Sequence, residues 1–447
     1  MMSFSEQILR KKWLRSDRLW VNRLTYRDPI RRFPIFFDTM VLMKSQYWPR
    51  ALIDSLAEAR LQDIIERVSA VPLWRDRFKA FGIDEKNFSR ADLAKLPILT
   101  KQDFFSNDVS YYTHPKLIDM SHVDYTSGST GKPFQFHLDW RAELRYFAIR
   151  DRMFQSVAGG EKLPVVYFRG RVNPGFFFGR HVLFFLRGYN SIKYRLQDFI
   201  ELVLSLKSEI VLYGYTSSMR ELARRMHETG ISLSIRAIVA TGESVREADR
   251  TYIEEHLHTK FFLTYATWEV KWVGHECEYH NMHINEEYVF VEIVDEKGTP
   301  LPSGVEGRIL ITSFDSEAMP FIRYAVGDRG VISEEPCPCK RSLRTIKMFG
   351  RQTDIIQLPD NRIVPLFDVS TAFDTFALAV QQYQILQTGE NSFRIKVIAG
   401  PKYEEQRERL HARMVGILHP DVSIEWETVD DISEAPSGKA AYFIRAF

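Results

Sequence analysis

The chain has 447 residues, of which 45% are hydrophobic, 13% aromatic and 26% charged, enough apolar surface for two or three packed domains at ~150 residues each. Intrinsic disorder is excluded, and so is a small disulfide-stapled fold, because three cysteines cannot frame a chain of this length. With 60 basic and 58 acidic residues the net charge is +2, too small for a global field that recruits nucleic acid or anionic membrane, so partners must be read from a local site.

Residues 8–20 set Lys11, Lys12, Arg15 and Arg18 among Leu9, Trp13, Leu14 and Leu19. That is a basic amphipathic helix, packed on the main body or lying on a membrane surface. No secretory signal pattern opens the chain, and the most apolar stretch, 175–189, is broken by Arg180, His181 and Arg187, so a reducing cytoplasm and no membrane span are expected. From about 48 to 100 apolar residues recur at helical spacing, up to Leu96-Pro97-Ile98-Leu99-Thr100-Lys101, where the proline stops one helix and the threonine can cap the next.

From residue 160, β-rich runs at 164–168, 209–213, 237–240 and 261–265 alternate with helical stretches at 221–228 and 247–257, the pattern of βαβ units and a largely parallel sheet. Between 288 and 333 strands and tight turns alternate, which predicts antiparallel hairpins in a small module or barrel on the α/β core. Beyond Gly350-Arg351 a strand near 392–398, a charged helix at 403–418 and a strand near 422–427 form their own unit. The predicted class is α/β, with a large domain over 1–350, mainly helical over 1–100, and a small α+β domain over 351–447.

The strongest chemical signal is Tyr125-Thr126-Ser127-Gly128-Ser129-Thr130-Gly131-Lys132-Pro133. Its glycines let the backbone approach a ligand, its hydroxyls and amides offer donors to phosphate oxygens, and Lys132 adds charge. The spacing excludes a Walker loop, which has four residues between its glycines and Ser or Thr after the lysine; a plain solvated turn is the bland alternative.

This string resembles the signature loop of the adenylate-forming acyl-activating enzymes, and further segments agree in order. Ala240-Thr241-Gly242-Glu243-Ser244 is similar to the family's adenine-contacting turn and Tyr265-Ala266-Thr267-Trp268-Glu269 to its aromatic-to-glutamate motif. Arg323-Tyr324-Ala325-Val326-Gly327-Asp328 resembles the ribose-binding segment, Gly350-Arg351-Gln352-Thr353-Asp354 the hinge, and Pro436-Ser437-Gly438-Lys439 the catalytic-lysine motif. Within the superfamily the chain looks most like the phenylacetate–CoA ligase and capsule-biosynthesis branch. The resemblance implies a mobile ferredoxin-like C-terminal lid, commonly a homodimer, and ATP-dependent activation of an aryl or arylacetic acid through an acyl-adenylate, with transfer to CoA. Transfer to an amine or carrier-protein thiol, or a non-catalytic nucleotide-binding role, are the alternatives.

The resemblance also assigns roles. Lys439 on the lid supplies charge to the transition state; Ser127, Gly128, Ser129, Thr130, Gly131 and Lys132 hold phosphates; Glu269 holds magnesium; Gly242, Glu243 and Tyr265 receive the adenine; Asp328, assisted by Arg351, grips the ribose hydroxyls. Ala266 and Trp268 depart from the family's Gly and Thr, so Thr267 is the candidate substitute hydroxyl, and Trp268 either packs in the core or enters the site.

All three cysteines join a second constellation. Cys277, Cys337 and Cys339, with His283 and with His280 as its substitute, have the donor set of a tetrahedral structural zinc site, the alternative being free buried thiols near surface histidines. The aromatics Phe176 to Phe178, Phe184, Phe185, Tyr213, Tyr215 and Trp268 are either walls for a flat apolar acid or ordinary core. Arg169 and Arg171 either grip CoA phosphates or face water.

Overall fold

The computed structural model describes residues 29–125, 134–169, 177–178, 181–185, 188–243, 245–351, 355–358, 363–376, 378–432 and 442–446. Helices α1 (Pro29–Ser45), α2 (Arg50–Val68) and α3 (Pro72–Ala80) open it. After a 3-10 turn at Arg90–Lys95, the short helix α4 (Lys101–Phe105) starts as the sequence predicts: Thr100 and Asp103 form a reciprocal capping box.

The large sheet is built around parallel strands β3 (Val165–Arg169), β5 (His181–Phe185), β6 (Ile210–Gly214), β7 (Ile235–Thr241) and β8 (Lys260–Thr267). Their residues sort by alternation onto two faces. Val165, Tyr167, Val211, Tyr213, Ala237 and Val239 pack with Phe147, Met153 and Phe154 of α5 (Trp140–Val157). Val166, Ile210, Leu212, Ile238 and Ala240 pack with α6 (Gly188–Ser205), α7 (Thr216–Thr229) and α8 (Glu247–Leu257) through Phe199, Met219, Leu222 and Ile253. A sheet covered on both faces leaves polar work to the ends of its strands.

The 288–333 region forms antiparallel strands as its turns predict, but they do not stand apart. Strands β9 (Lys271–Glu276), β10 (Met282–Ile284), β11 (Val289–Val294), β12 (Gly307–Ser313), β13 (Tyr324–Ser333) and β14 (Thr345–Arg351) continue the parallel sheet. With the two-residue β4 (Phe177–Phe178) at the far edge, the order is β11-β12-β13-β14-β10-β9-β8-β7-β6-β3-β5-β4. The reversal lies between β8 and β9, whose antiparallel pairing turns the sheet's direction without interrupting its hydrogen bonds. Strands β1 (His122–Tyr125) and β2 (Gln135–Leu138) form a separate hairpin flanking the phosphate-loop segment.

Residues beyond 355 have their own core, from Ile356 to Leu418. A hairpin of β15 (Ile355–Gln357) and β16 (Ile363–Pro365) leads into α9 (Leu366–Thr375), then β17 (Val380–Gly389), β18 (Ser392–Ala399), α10 (Tyr403–Ile417), β19 (Ser423–Thr428) and β20 (Phe443–Arg445). The sheet order is β19-β18-β17-β20: an antiparallel central hairpin with a parallel strand on each side.

α1 is fixed to the sheet by a buried charge. Arg152 of α5, wholly inaccessible, donates to Glu287 at 2.7 Å, and Ser45 at the end of α1 donates to the same carboxylate oxygen at 2.6 Å. Replacing Arg152 with Met leaves the buried Glu287 uncompensated, which we expect to cost about 3–5 kcal/mol; urea unfolding of the variant followed by tryptophan fluorescence measures it.

Candidate functional site

The carboxyl ends of β6, β7 and β8 bring together segments far apart in sequence. At the end of β7, Gly242 takes a φ of +73°, which lets the chain turn sharply into Glu243. The Glu243 carboxylate then accepts from the Ser217 amide and hydroxyl, both at 2.9 Å, in the first turn of α7. On β8, Tyr265 is 6% exposed and its hydroxyl donates to Asp328 Oδ2 at 2.7 Å. Asp328 on β13 is in register with Arg351 on β14. The predicted adenine, ribose and hinge motifs are therefore neighbours, with the ribose carboxylate oriented by a tyrosine from the adenine side.

Glu269, 5% exposed, lies in the turn between β8 and β9. Its Oε1 meets two donors, the Tyr324 hydroxyl at 3.0 Å and the Lys101 ammonium at 3.0 Å. Neither partner was assigned a role by sequence: Lys101 opens α4, and its motif spoke only of a helix start. A hard cation suits one carboxylate shared with phosphate oxygens, and Glu269 is such a carboxylate, with Lys101 supplying a second positive charge beside it.

The two departures from the family pattern resolve locally. Thr267 Oγ1 accepts from the Val270 amide at 3.0 Å, closing the turn. Trp268 is partly buried against the main core, which is the packing role, and the Lys271 ammonium stands 5.3 Å from its ring centroid. Lys271 also lies 5.0 Å from the Phe136 ring and pairs with Asp124 at 3.4 Å. Burial pushes its pKa down, against the pull of Asp124. Since Asp124 is in β1, this pair brings the start of the phosphate loop beside the Glu269 turn. Residues 126–133, with Ser127, Gly128, Ser129, Thr130, Gly131 and Lys132, lie outside the described residues, as do Ser244, Arg171 and Lys439, and the side chains of Arg169, Phe176 to Phe178, Phe184, Phe185 and Arg351. Tyr213, 2% exposed among Phe154, Tyr167 and Trp272, is core.

The cysteines converge at the other end of the antiparallel half. The ligand atoms of Cys277, His283, Cys337 and Cys339 all lie within 4.8 Å of one another. Cys277 and Cys337 sulfurs are 3.6 Å apart, contact distance and not a disulfide. His283 bonds the Leu343 carbonyl through Nδ1 at 2.8 Å, turning Nε2 to within 3.2 Å of Cys339 Sγ. A second partner that fixes the tautomer is what metal-ligating histidines have. Burial pushes the Cys277 thiol up to about 12 and the His283 imidazole down to about 4. At Cys337 burial also works upward, but hydrogen bonds, the Cys339 amide's first, leave it below the ordinary thiol. The donor set fits a tetrahedral zinc ion. His280 is not part of it: its Nδ1 faces Arg250 at 2.8 Å and Glu276 at 3.5 Å.

With this geometry in place, comparison with known proteins is specific. The family profile of the CapK C-terminal domain matches residues 356–446. Phenylacetate-coenzyme A ligase of Thermus thermophilus is 27% identical over 366 residues, 77% of this chain and 80% of that one. Protein CapK of Staphylococcus aureus is 23% identical over 385 residues, 82% of this chain and 83% of its own. Among solved structures, 2-hydroxyisobutyryl-CoA ligase with R3-HIB-AMP in the postadenylation state superposes with a TM-score of 0.73 at 18% identity, over 90% of this chain and 93% of that one. The same ligase with 2-HIB-AMP and CoA in the thioesterification state gives 0.59 at 17% identity with the same coverage. No helix among the described residues is long and apolar enough to cross a membrane. Over most of its length the chain is similar to the phenylacetate–CoA ligases and to CapK, and it shares the fold of the solved CoA ligase.

Proposed function

We propose that this chain activates a carboxylic acid, of the aryl or arylacetic class, with ATP through an acyl-adenylate and transfers the acyl group to CoA. The observation that carries the reading is the hydrogen bond from Tyr265 to Asp328 beside the Gly242 turn, which joins three nucleotide motifs at the carboxyl edge of one sheet. The acid class comes from the phenylacetate–CoA ligase relatives.

Each residue then has a task set by charge. Attack of a carboxylate on the α-phosphate joins two anions, so cations and donors must follow the charge as it develops. Lys439, carried by the lid of residues 351–447, supplies that charge, and the 126–132 loop holds the outgoing pyrophosphate against the large domain of residues 1–350. Asp328 fixes the ribose, with Arg351 across the strand pair. Magnesium, held by Glu269, neutralises phosphate charge when bound. Lys101, paired with that carboxylate, holds it in place. ATP and CoA pools and three unpaired thiols suit the cytoplasm. Zinc at the cysteine cluster ties strands together and takes no part in the chemistry, since four protein ligands leave no position for substrate.

The test is pyrophosphate release with ATP, magnesium and a panel of aromatic and aliphatic acids, each with and without CoA. Release that depends on one aromatic acid, with CoA consumed, is expected; release without CoA use would move the acceptor to an amine or carrier thiol, and silence across the panel would overturn the reading. Lys439→Ala should cut acid-dependent pyrophosphate release at least ~100-fold while ATP still binds by equilibrium dialysis. Lys101→Met should raise the magnesium concentration giving half-maximal rate about threefold to tenfold, seen in a magnesium titration, because the carboxylate loses its positioning cation. Elemental analysis after dialysis should find one zinc per chain, and Cys337→Ser should lose it along with thermal stability.

A further inference from the structure

Resting on that reading, we infer that Arg220, Arg246 and Asp249 form a latch that holds the small domain in its adenylation arrangement, making Arg246 a positioning residue for the first half-reaction.

Asp249, 4% exposed in side chain, sits in the first turn of α8 and binds both arginines. Arg246 reaches it with Nε at 2.7 Å and Nη2 at 2.6 Å, and Arg220 of α7 with Nε at 3.0 Å. The two guanidinium groups converge on a single atom of the small domain, the carbonyl oxygen of Gln381 in β17. Arg220 donates to it through Nη1 and Arg246 through Nη2 at 3.2 Å. The Arg246 guanidinium also lies 5.6 Å from the centroid of the Tyr383 ring. Tyr383 is itself locked in the small-domain core, stacked on Phe373 with ring centroids 3.7 Å apart and 5.4 Å from Tyr442.

The same cleft, a small one lined by Thr216, Ser217, Arg220, Arg246, Asp249 and Tyr442 among others, has the cations of an anion site at the start of α7. The bonding says otherwise. The Ser217 amide is taken by Glu243, and Asp249 places a carboxylate between the arginines. What these groups hold is the other domain.

The chemistry suits a reversible contact. An ion pair across two domains strands both charges when it parts. Here both ion pairs lie within the large domain, and the small domain contributes a neutral carbonyl and an aromatic face, so release breaks no ion pair.

Position gives the latch its task. Arg246 ends the turn that begins at Gly242, and Glu243 of that turn holds the first turn of α7, so the adenine-binding segment and the latch are one connected piece. On the other side, Tyr442 follows Lys439 by three residues and precedes β20. The latch therefore sits beside Tyr442, which lines the same cleft. The solved ligase after adenylation superposes with a TM-score of 0.73 and the same ligase in thioesterification with 0.59 at equal coverage, the difference expected if the latch holds the adenylation arrangement.

The experiment compares wild type, Arg246→Met and the more exposed Arg220→Met in three measurements. Acid-dependent exchange of pyrophosphate into ATP reads the first half-reaction. Transfer from chemically prepared acyl-adenylate to CoA reads the second. Hydrogen exchange of peptides covering 378–388 reads the contact itself. We expect the first to fall at least ~5-fold in each variant, the second to hold or rise, and exchange at 378–388 to increase more than in peptides of the large-domain core. Equal loss of both half-reactions together with lowered melting temperature would reduce the arginines to a structural role. Unchanged exchange at 378–388 would overturn the latch. If no acid supports pyrophosphate exchange in the wild type, the functional reading fails on its own, and hydrogen exchange still decides the contact.

Discussion

The reversal of the sheet between β8 and β9 is the constraint on which the site depends. Strands β3, β5, β6, β7 and β8 run parallel and the sheet is covered on both faces; from Lys271 the strands run antiparallel, within one hydrogen-bonded sheet. The turn that makes the change is closed by the Thr267 hydroxyl on the Val270 amide and leaves with Lys271 at a φ of +64°. Because the two halves share an edge there, residues from β7, β8 and β13 face one another, and the carboxylate of Glu269 sits in the fold of the turn. A separate barrel packed against the α/β core would need an interface to align these groups. A continuous sheet aligns them by register.

Buried charge does the fastening around that edge. Arg323, 2% exposed and at a φ of +49°, pairs with Glu292 at 3.2 Å and donates to the carbonyls of Leu96 and Gly298, both at 2.6 Å. It thus ties the helical region before residue 100 to the hairpins, immediately beside Tyr324, whose hydroxyl meets Glu269. Lys101, five residues after Leu96, is brought to Glu269 by the same anchoring, with the Leu99 amide donating to the Arg323 carbonyl at 3.1 Å. Two cations of opposite use come from adjoining segments: Arg323 is consumed by structure, while Lys101, 42% exposed in side chain, remains at the site.

Local signals in the sequence carried most of the elements. Strand β12 begins and ends where its turns place it, α8 spans the predicted 247–257, and Thr100 caps the helix after the proline. These rest on periodicity, capping and turn chemistry, which act within a few residues. Tyr265, Asp328 and the cysteine set were legible because each lies in a short string with its own chemistry. Lys101 and Tyr324 were not, because their relation to Glu269 is made by the sheet and no local spacing encodes it. For the same reason the hairpin region read as a module: its turns announce antiparallel pairing, but nothing in 288–333 says which strand its edge will join. Trp268 was ambiguous because an indole at that spacing suits a pocket wall and a core equally, and only the neighbouring Lys271 and Phe136 decide it.

The molecule thus separates what must stay rigid from what must move. The cysteine cluster lies in the rigid part: Arg341, whose amide points to Cys339 Sγ at 3.4 Å, reaches Gln46 at 2.9 Å, and Arg50 donates to the Ser342 carbonyl at 3.0 Å. The 337–344 segment therefore clamps the junction of α1 and α2 on the side of the sheet away from the nucleotide motifs, and four closed ligands are the right device for a joint that should never open. Between the domains the opposite choice is made. The arginines at α7 and α8 share the Asp249 carboxylate and touch the small domain through a carbonyl and a ring. Contacts of both kinds stand in one chain, the closed donor set within the antiparallel half of the large sheet and the neutral contacts toward the core of residues beyond 355.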